Sequence, residues 1–224
     1  MKVHIFDVDF TILRCSTVRA FIFRGLRRGL VRPSIGLYAP LLFLRYGLPG
    51  PSAYPDGRAY PFLRGVARSS LEALAAELFD EVFRRKIDPL IAARIESVLG
   101  AGEKAIIASS SFGIILGPLA RHLGISHIVA NELEFREGEA TGRLAGVPAF
   151  GEGKRARVLE HLRATGTEPA ACAFYSDSHR DLPLLEEVGE PIAVNPDAAL
   201  RRTARKRGWE IIAAAGGGKD ARRA

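Results

Sequence analysis

The sequence predicts an α/β fold: a doubly wound, mostly parallel (Rossmann-like) sheet with a helical cap inserted after the first strand. Short apolar runs alternate with helical patterns over most of the chain, residues 15–88 interrupt that alternation, and polar residues follow the apolar runs. We therefore predict a catalytic core formed by residues 1–14 and 89–213, a cap formed by residues 15–88, and a disordered tail at residues 214–224.

Six apolar runs predict the strands of the core. They span residues 3–8, 103–109, 125–130, 171–176, 191–194 and 210–212. Helical patterns separate the later runs, at residues 153–164, 179–188 and 197–207. The stretch LEFREGEATGRLAG, residues 133–146, predicts a hairpin with a glycine-containing turn.

The predicted cap is helical and unusually basic. Apolar residues at helical spacing predict one amphipathic helix over residues 71–87. Residues 14–55 contain seven arginines and no acid, whereas a solvated surface normally mixes both signs of charge. Two interpretations remain open: the arginine stems pack on apolar neighbours with their heads in water, or some heads bind an anionic substrate or surface. The candidates for substrate binding are Arg19, Arg24, Arg27 and Arg28.

Cysteine usage and charge exclude several classes of protein. The widely separated Cys15 and Cys172 form no disulfide framework and no CxxC metal motif, which suits a reducing cytoplasm. From the sequence we expect no signal peptide and no transmembrane segment. Aromatic residues do not alternate with the arginines, so the sequence does not favour nucleic acid binding. Peripheral membrane contact and the oligomeric state stay open.

Polar residues follow three of the predicted strands, and the ends of parallel strands meet at one edge of a sheet. Asp7, Asp9 and Thr11 follow the first strand, Ser109 and Ser110 end the second, and Asp177 and Asp181 follow the fourth. Lys154 lies at the start of the helix before the fourth strand. Any one of these residues could simply cap or begin a helix, but together they predict a site.

The residue types of this site indicate its chemistry. Several carboxylates without histidine or cysteine suit a hard divalent cation, Mg²⁺ before Zn²⁺. A cation, hydroxyl groups, a helix N-terminus and one lysine together suit a phosphate group. One aspartate can then attack phosphorus while the other acts as acid and base. The expected partner is a small phosphorylated molecule.

These motifs resemble those of the haloacid dehalogenase superfamily, in the subgroup similar to phosphoserine phosphatases. The DxDxT motif is present at residues 7–11, a serine closes the apolar strand AIIAS at Ser109, and the lysine is Lys154. The acid–x3–acid motif is present in YSDSHRD as Asp177 and Asp181. The resemblance implies a Mg²⁺-dependent phosphomonoester hydrolase that forms an aspartyl-phosphate.

The resemblance also implies a role for each residue. Asp7 would be the nucleophile, and Asp9 would protonate the leaving oxygen and then activate water. Mg²⁺ would bind the Asp7 carboxylate, the Asp9 backbone carbonyl and Asp177, with Asp181 in support. The phosphoryl oxygens would be held by Ser109 and Lys154, with Thr11 and Ser110 beside them.

The chain departs from the subgroup's pattern at three positions. The motif that contains Asp177 and Asp181 often begins with glycine and has asparagine before its last acid, whereas this chain has Ser176 and Arg180. Phosphoserine phosphatases carry a glutamate shortly after the first motif to bind the substrate's ammonium, whereas this chain has Ser16. We therefore predict a small anionic or lipid-related phosphate as substrate. The alternatives are phosphoserine itself, or a non-catalytic module that binds anions, lipid or nucleic acid.

Overall fold

A computed structural model describes residues 2–32 and 60–213 and shows one central sheet of seven strands. The strands are β1 Val3–Phe6, β2 Lys104–Phe112, β3 His127–Arg136, β4 Glu139–Ala145, β5 Cys172–Ser176, β6 Glu190–Val194 and β7 Glu210–Ile212. Their order is β4-β3-β2-β1-β5-β6-β7, and every neighbouring pair is parallel except β3 and β4. The predicted α/β fold with a mostly parallel sheet is confirmed.

Helices cover both faces of this sheet. They are α1 Thr17–Arg27, α2 Arg68–Leu78, α3 Pro89–Gly100, α4 Gly113–His122, α5 Glu152–Ala164, α6 Leu182–Leu185 and α7 Ala198–Arg207. Successive residues of β1 point to opposite faces: Ile5 belongs to the apolar cluster that includes residues of α5, α6 and α7, and Phe6 to the cluster that includes residues of α1 to α4. None of the helices within the described residues is long and apolar enough to cross a membrane.

The central position of β1 determines where the candidate site forms. Val3 of β1 is level with Lys104 of β2 on one side and with Cys172 of β5 on the other. All four residues of β1 are buried, as expected for a strand with parallel neighbours and covered faces. The residues after Phe6 therefore emerge between the ends of β2 and β5.

The described parts of the predicted cap, residues 15–32 and 60–88, are helical and pack on the sheet. Phe21 of α1 and Leu74 of α2 lie in the same apolar cluster as Phe6. The chain enters and leaves this segment side by side, since Leu13 and Ile87 form an antiparallel bridge and the Asp88 amide donates to the Ile12 carbonyl at 2.8 Å. The division into core and cap remains a proposal, and the predicted tail, residues 214–224, lies outside the described residues.

Four elements differ most from the sequence prediction, and β1 ends two residues before its predicted end. The helix predicted over 71–87 is α2 followed by a π-helical turn, Phe79–Phe83, and a 3₁₀ turn, Arg84–Lys86; the wider turn keeps both phenylalanines buried. The helix predicted over 179–188 divides into a 3₁₀ turn, His179–Asp181, and the short α6, because Pro183 fits only the first turn of a helix.

The other two differences concern strands. β2 continues to Phe112, three residues beyond the predicted end. The third predicted strand and the first hairpin strand are one strand, β3, and it turns into β4 at Glu137 and Gly138. Both turn residues have positive φ, 51° and 82°, which is the geometry of a tight hairpin turn.

Candidate active site

A buried ammonium group joins two carboxylates at the ends of β1 and β5. Nζ of Lys154 lies 3.0 Å from Oδ1 of Asp7 and 2.8 Å from Oδ2 of Asp181. The backbone amide of Asp7 donates to the carbonyl of Tyr175 in β5 at 2.9 Å, which continues the ladder beyond Phe6. All three charged residues are at most 6% exposed, so these ion pairs are shielded from water.

The position of Lys154 depends on how α5 begins. Gly153 lies against the preceding loop so closely that a Cβ there would be 2.0 Å from the carbonyl oxygen of Pro148. Asn131 at the edge of the site holds the same loop: its amide donates to the Ser110 carbonyl at 2.6 Å and accepts from the Ala149 amide at 2.8 Å. Asn131 was not predicted from the sequence, because it belongs to no recognised motif.

Asp9 lies at the N-terminus of α1. Its Oδ1 accepts from the Thr17 hydroxyl at 2.6 Å and from the Thr17 amide at 3.0 Å, and its Oδ2 accepts from the Ser16 hydroxyl at 2.9 Å. The positive end of the helix dipole also favours a carboxylate there. The following residue, Phe10, has φ of 57°, a left-handed conformation that is rare for an aromatic residue. Ser16 and Thr17 were missed as supports of Asp9, although a serine before a helical pattern is a recognisable signal.

The acid–x3–acid motif with Asp177 and Asp181 follows the end of β5. Asp177 is 5% exposed, and its carbonyl accepts from the Asp197 amide at 2.8 Å. Asp181 ends the following 3₁₀ turn, and its Oδ2 accepts from the Ser176 hydroxyl at 2.7 Å as well as from Lys154. Of the predicted residues, Lys154 thus contacts both Asp7 and Asp181.

The predicted hydroxyl residues differ in burial and in hydrogen bonding. Ser109 is 1% exposed, and its hydroxyl accepts from the Ser111 amide at 3.1 Å. Ser110 is half-buried and uses its carbonyl to bind Asn131. Within the described residues, Oγ1 of Thr11 is the one fully buried side-chain oxygen or nitrogen without a hydrogen-bond partner. A buried hydroxyl without a partner is costly, so this oxygen favours an additional binding group.

Burial raises the pKa values of Asp7 and Asp9, the two aspartates that follow β1. It raises the pKa of Asp7 to about 7, against the Lys154 ammonium and together with the charges of Asp181 and Asp9. Burial also raises the pKa of Asp9, against the hydrogen bonds from Thr17 and Ser16. Burial alone would lower the pKa of Lys154, but Asp181 and Asp7 outweigh it and raise that pKa. The lysine therefore stays charged beside Asp7, whose pKa is raised although the ammonium group opposes that shift.

The described acidic side chains do not form a metal-binding group by themselves, so the predicted magnesium site also needs a backbone oxygen. Within residues 2–32 and 60–213, no three histidine, cysteine, aspartate or glutamate side chains form a metal-binding group. The predicted donors are the carboxylates of Asp7 and Asp177 and the carbonyl of Asp9, with Asp181 in support. Such an all-oxygen set suits Mg²⁺, which binds few protein ligands and keeps several waters.

Arg24 and Arg28 of the cap pair with acids from α2 and from the π-helical turn that follows it. Arg24 pairs with Glu77 at 2.8 Å and with Glu81 at 2.5 Å, and Arg28 pairs with Glu77 at 2.6 Å. Arg27 lies over the exposed ring of Phe23, 5.7 Å from its centroid. Residues 14–55 contain no acid, but the fold thus supplies acids from another helix. Substrate binding by Arg19, Arg24, Arg27 and Arg28 stays a prediction.

Similar proteins point to one family. The sequence pattern of haloacid dehalogenase-like hydrolases matches residues 5–186. A Mycobacterium tuberculosis protein named phosphoserine phosphatase SerB1 is 34% identical over 216 residues, covering 92% of this chain and 68% of the relative. A Neisseria meningitidis histidinol-phosphatase is 36% identical over 157 residues, covering 67% and 71%.

Solved structures agree. A Bordetella pertussis protein of unknown function superposes with a TM-score of 0.82 at 30% identity, covering 94% of this chain and 97% of the other. A phosphoserine phosphatase with a phospho-aspartyl intermediate analogue has a TM-score of 0.62 at 17% identity, covering 95% and 92%, which shows a shared fold. The chain therefore belongs to the haloacid dehalogenase-like hydrolases, in their phosphoserine-phosphatase-like subgroup.

Proposed function

We propose that this chain hydrolyses phosphate monoesters through an aspartyl-phosphate on Asp7, with Mg²⁺ as its cofactor. That it is a phosphatase follows from its family and from the relatives that are named phosphatases. The observation that supports the mechanism is the buried contact of Lys154 with Asp7 and Asp181, next to Asp9 at the N-terminus of α1. The alternative of a non-catalytic binding module is not retained.

The two aspartates have complementary roles in the proposed reaction. An oxygen of the Asp7 carboxylate attacks phosphorus, and the bond from phosphorus to the ester oxygen breaks as Asp9 donates a proton to that oxygen. Asp9 then accepts a proton from a water molecule whose oxygen attacks phosphorus, which releases inorganic phosphate and restores Asp7. The raised pKa of Asp9 supports this role, because an acid must hold its proton until the leaving oxygen needs it.

The remaining groups bind the transferred phosphoryl group. In the proposal, Lys154, Ser109 and Thr11 hold its oxygens, where negative charge is spread in the transition state. Ser110, next to Ser109 in the chain, also binds the phosphoryl group in this proposal. Asp7, Asp177 and the Asp9 carbonyl would hold Mg²⁺, which would supply positive charge against the negative charge of the phosphoryl group. The unpartnered hydroxyl of Thr11 supports a ligand at this place.

The proposed substrate is a small anionic or lipid-related phosphate. Ser16, which takes the place of the ammonium-binding glutamate of phosphoserine phosphatases, caps α1 and donates to Asp9. It therefore supports the acid–base residue and carries no charge for an ammonium group. Arg19 and Arg27 are exposed and supply positive charge on α1. Peripheral membrane contact and a cytoplasmic location remain predictions.

A second candidate substrate class carries an amino group. The relatives named phosphoserine phosphatase and histidinol-phosphatase favour it. The two classes are separated by measuring kcat/KM for O-phosphoserine, histidinol phosphate and phosphoglycolate under identical conditions. We expect phosphoglycolate, which lacks the amino group, to have the highest value. A higher kcat/KM for O-phosphoserine or histidinol phosphate would instead favour substrates with an amino group.

Trapping the phosphorylated enzyme tests the mechanism itself. The chain is mixed with a generic aryl phosphate and Mg²⁺, quenched in acid, digested, and analysed by mass spectrometry. We expect one phosphoryl group on the peptide that contains Asp7, and none in Asp7→Asn. Turnover with phosphate on another residue, or undiminished turnover by Asp7→Asn, would exclude Asp7 as the nucleophile.

A further inference from the structure

Ser176 is a buried hydroxyl at a position where the subgroup's motif often has glycine. It is the last residue of β5 and is 0% exposed. Its Oγ accepts from the Ser178 amide at 3.2 Å and donates to Oδ2 of Asp181 at 2.7 Å. The acceptor role toward an amide leaves the hydroxyl proton for the carboxylate, so the direction of both bonds is defined.

This hydroxyl begins a series of contacts that ends at the proposed nucleophile. The Asp181 oxygen that accepts from Ser176 also accepts from Lys154 at 2.8 Å, and Lys154 reaches Asp7 at 3.0 Å. Asp181 is 4% exposed and Lys154 is 3% exposed. Because water has little access to these atoms, it cannot readily replace a lost donor.

We propose that Ser176 is a positioning residue, which fixes the Asp181 carboxylate and through it the direction of the Lys154 ammonium. This inference rests on the proposed hydrolysis at Asp7. A lysine side chain has four rotatable bonds and needs more than one anchor to present its charge in a single place. Without the hydroxyl, Oδ2 of Asp181 keeps its bond from Lys154 but loses the donor that fixes the direction of the carboxylate, so the ammonium group is placed less firmly.

The consequence falls on turnover more than on substrate binding. A charge placed where the transition state develops lowers the barrier, whereas ground-state binding tolerates a looser ammonium. A hydrogen bond to a charged group is strong enough that losing it lowers kcat roughly tenfold to a hundredfold. We therefore expect kcat to fall in Ser176→Ala while KM stays within about threefold.

The matched control is Ser178→Ala, in the same loop. Ser178 caps the 3₁₀ turn His179–Asp181 by accepting from the Arg180 amide at 3.3 Å, and its hydroxyl has no described bond to Asp181. The two variants each remove one hydroxyl from this loop. If Ser176 only stabilised the loop, both would lose similar stability and retain similar kcat. If it positions Lys154, only Ser176→Ala loses kcat.

Kinetics of the full chain with an aryl phosphate and Mg²⁺ give the first readout. The ammonium signal of Lys154 in ¹⁵N NMR of the metal-free protein gives the second, since buried and hydrogen-bonded protons exchange slowly. We expect this signal in wild type and in Ser178→Ala, identified by its loss in Lys154→Met. In Ser176→Ala it should shift or broaden.

Each outcome decides the inference. A kcat for Ser176→Ala within about twofold of wild type, or an unchanged ammonium signal, would overturn it. If Ser176→Ala does not fold, Ser176→Gly, which carries the residue common in the motif, is measured in its place with the same criteria. Undiminished turnover in Asp7→Asn would instead refute the proposed function, and the inference with it, independently of the Ser176 variants.

Discussion

Replacing the proposed nucleophile should stabilise the metal-free protein while abolishing its activity. The structure raises the pKa of Asp7 from 3.8 to about 7, chiefly by burial. The folded state therefore favours the protonated carboxyl of Asp7. Once the pH exceeds the pKa that Asp7 has in the unfolded chain, this preference lowers the free energy of unfolding. Stability falls as pH rises from about 3.8 and reaches its full loss above about 7.

The size of the effect follows from the shift. Each pKa unit corresponds to about 1.4 kcal/mol, so a shift of about three units corresponds to roughly 4 kcal/mol at pH 8. Asn at position 7 is neutral at every pH and its carbonyl can still accept from Lys154. Asp7→Asn should thus raise the free energy of unfolding by up to about 4 kcal/mol at pH 8, and by about half of that or less at pH 5.

Urea unfolding in EDTA at both pH values measures this difference, and turnover of an aryl phosphate is measured in parallel with Mg²⁺. Asp197→Asn is the control, because it should change the free energy of unfolding in the opposite direction. Hydrogen bonds from the Leu200 and His179 amides outweigh burial and lower the pKa of Asp197, so its neutralisation should destabilise the protein by about 1 kcal/mol near neutral pH. An Asp7→Asn variant that is less stable than wild type at pH 8 would refute the reasoning.

Three further predictions concern the metal, the start of α5 and a histidine. Activity should require Mg²⁺, disappear with EDTA and be inhibited by Ca²⁺, whose larger and looser coordination misplaces the phosphate; full activity of the metal-stripped protein would exclude this site. Gly153→Ala should cost about 2 kcal/mol or more and lower kcat, because its Cβ would meet the Pro148 oxygen at 2.0 Å next to Lys154. Gly189→Ala, with the same 2.0 Å clash against Ala170, should lose stability but keep kcat in the folded fraction; equal kcat losses would contradict the local effect. Burial lowers the pKa of His4 from 6.5, so the unfolded chain binds a proton first and the free energy of unfolding falls as the pH drops through 6.5. Between pH 7 and pH 5, the free energy of unfolding should depend less on pH in His4→Gln than in the exposed control His122→Gln. The same pH dependence in both variants would disprove this prediction.

The sheet and the positions of its polar strand ends could be predicted from the sequence, because they depend on local patterns. Short apolar runs bury a strand on both faces, and the residues that follow each run must emerge at one edge of a parallel sheet. Asp7, Ser109 and Asp177 were placed at such ends by this rule alone. The motif spacing then supplied the family, which the comparisons confirm.

Element boundaries were less accurate where tertiary packing overrides local periodicity. A uniform pattern over 71–87 predicts one helix, yet the π turn at Phe79–Phe83 brings both phenylalanines into the core. The arginines of α1 show the same limit for charge. Residues 14–55 contain no acid that could pair with these arginines, but in the fold Arg24 pairs with Glu77, which lies 53 residues further along the chain.

The sequence by itself determined the fold class, the family and the chemical types available at the site. Only the tertiary structure decided which groups touch: Lys154 meets Asp7 across 147 residues of chain, Ser176 holds Asp181, and Asp9 receives its hydrogen bonds from the start of α1. The physical reason is one of range. Which residues are buried and where strands end follow from the spacing of apolar residues along the chain. A contact between distant side chains depends instead on the register of β1 with β5 and on the packing of α5 against them.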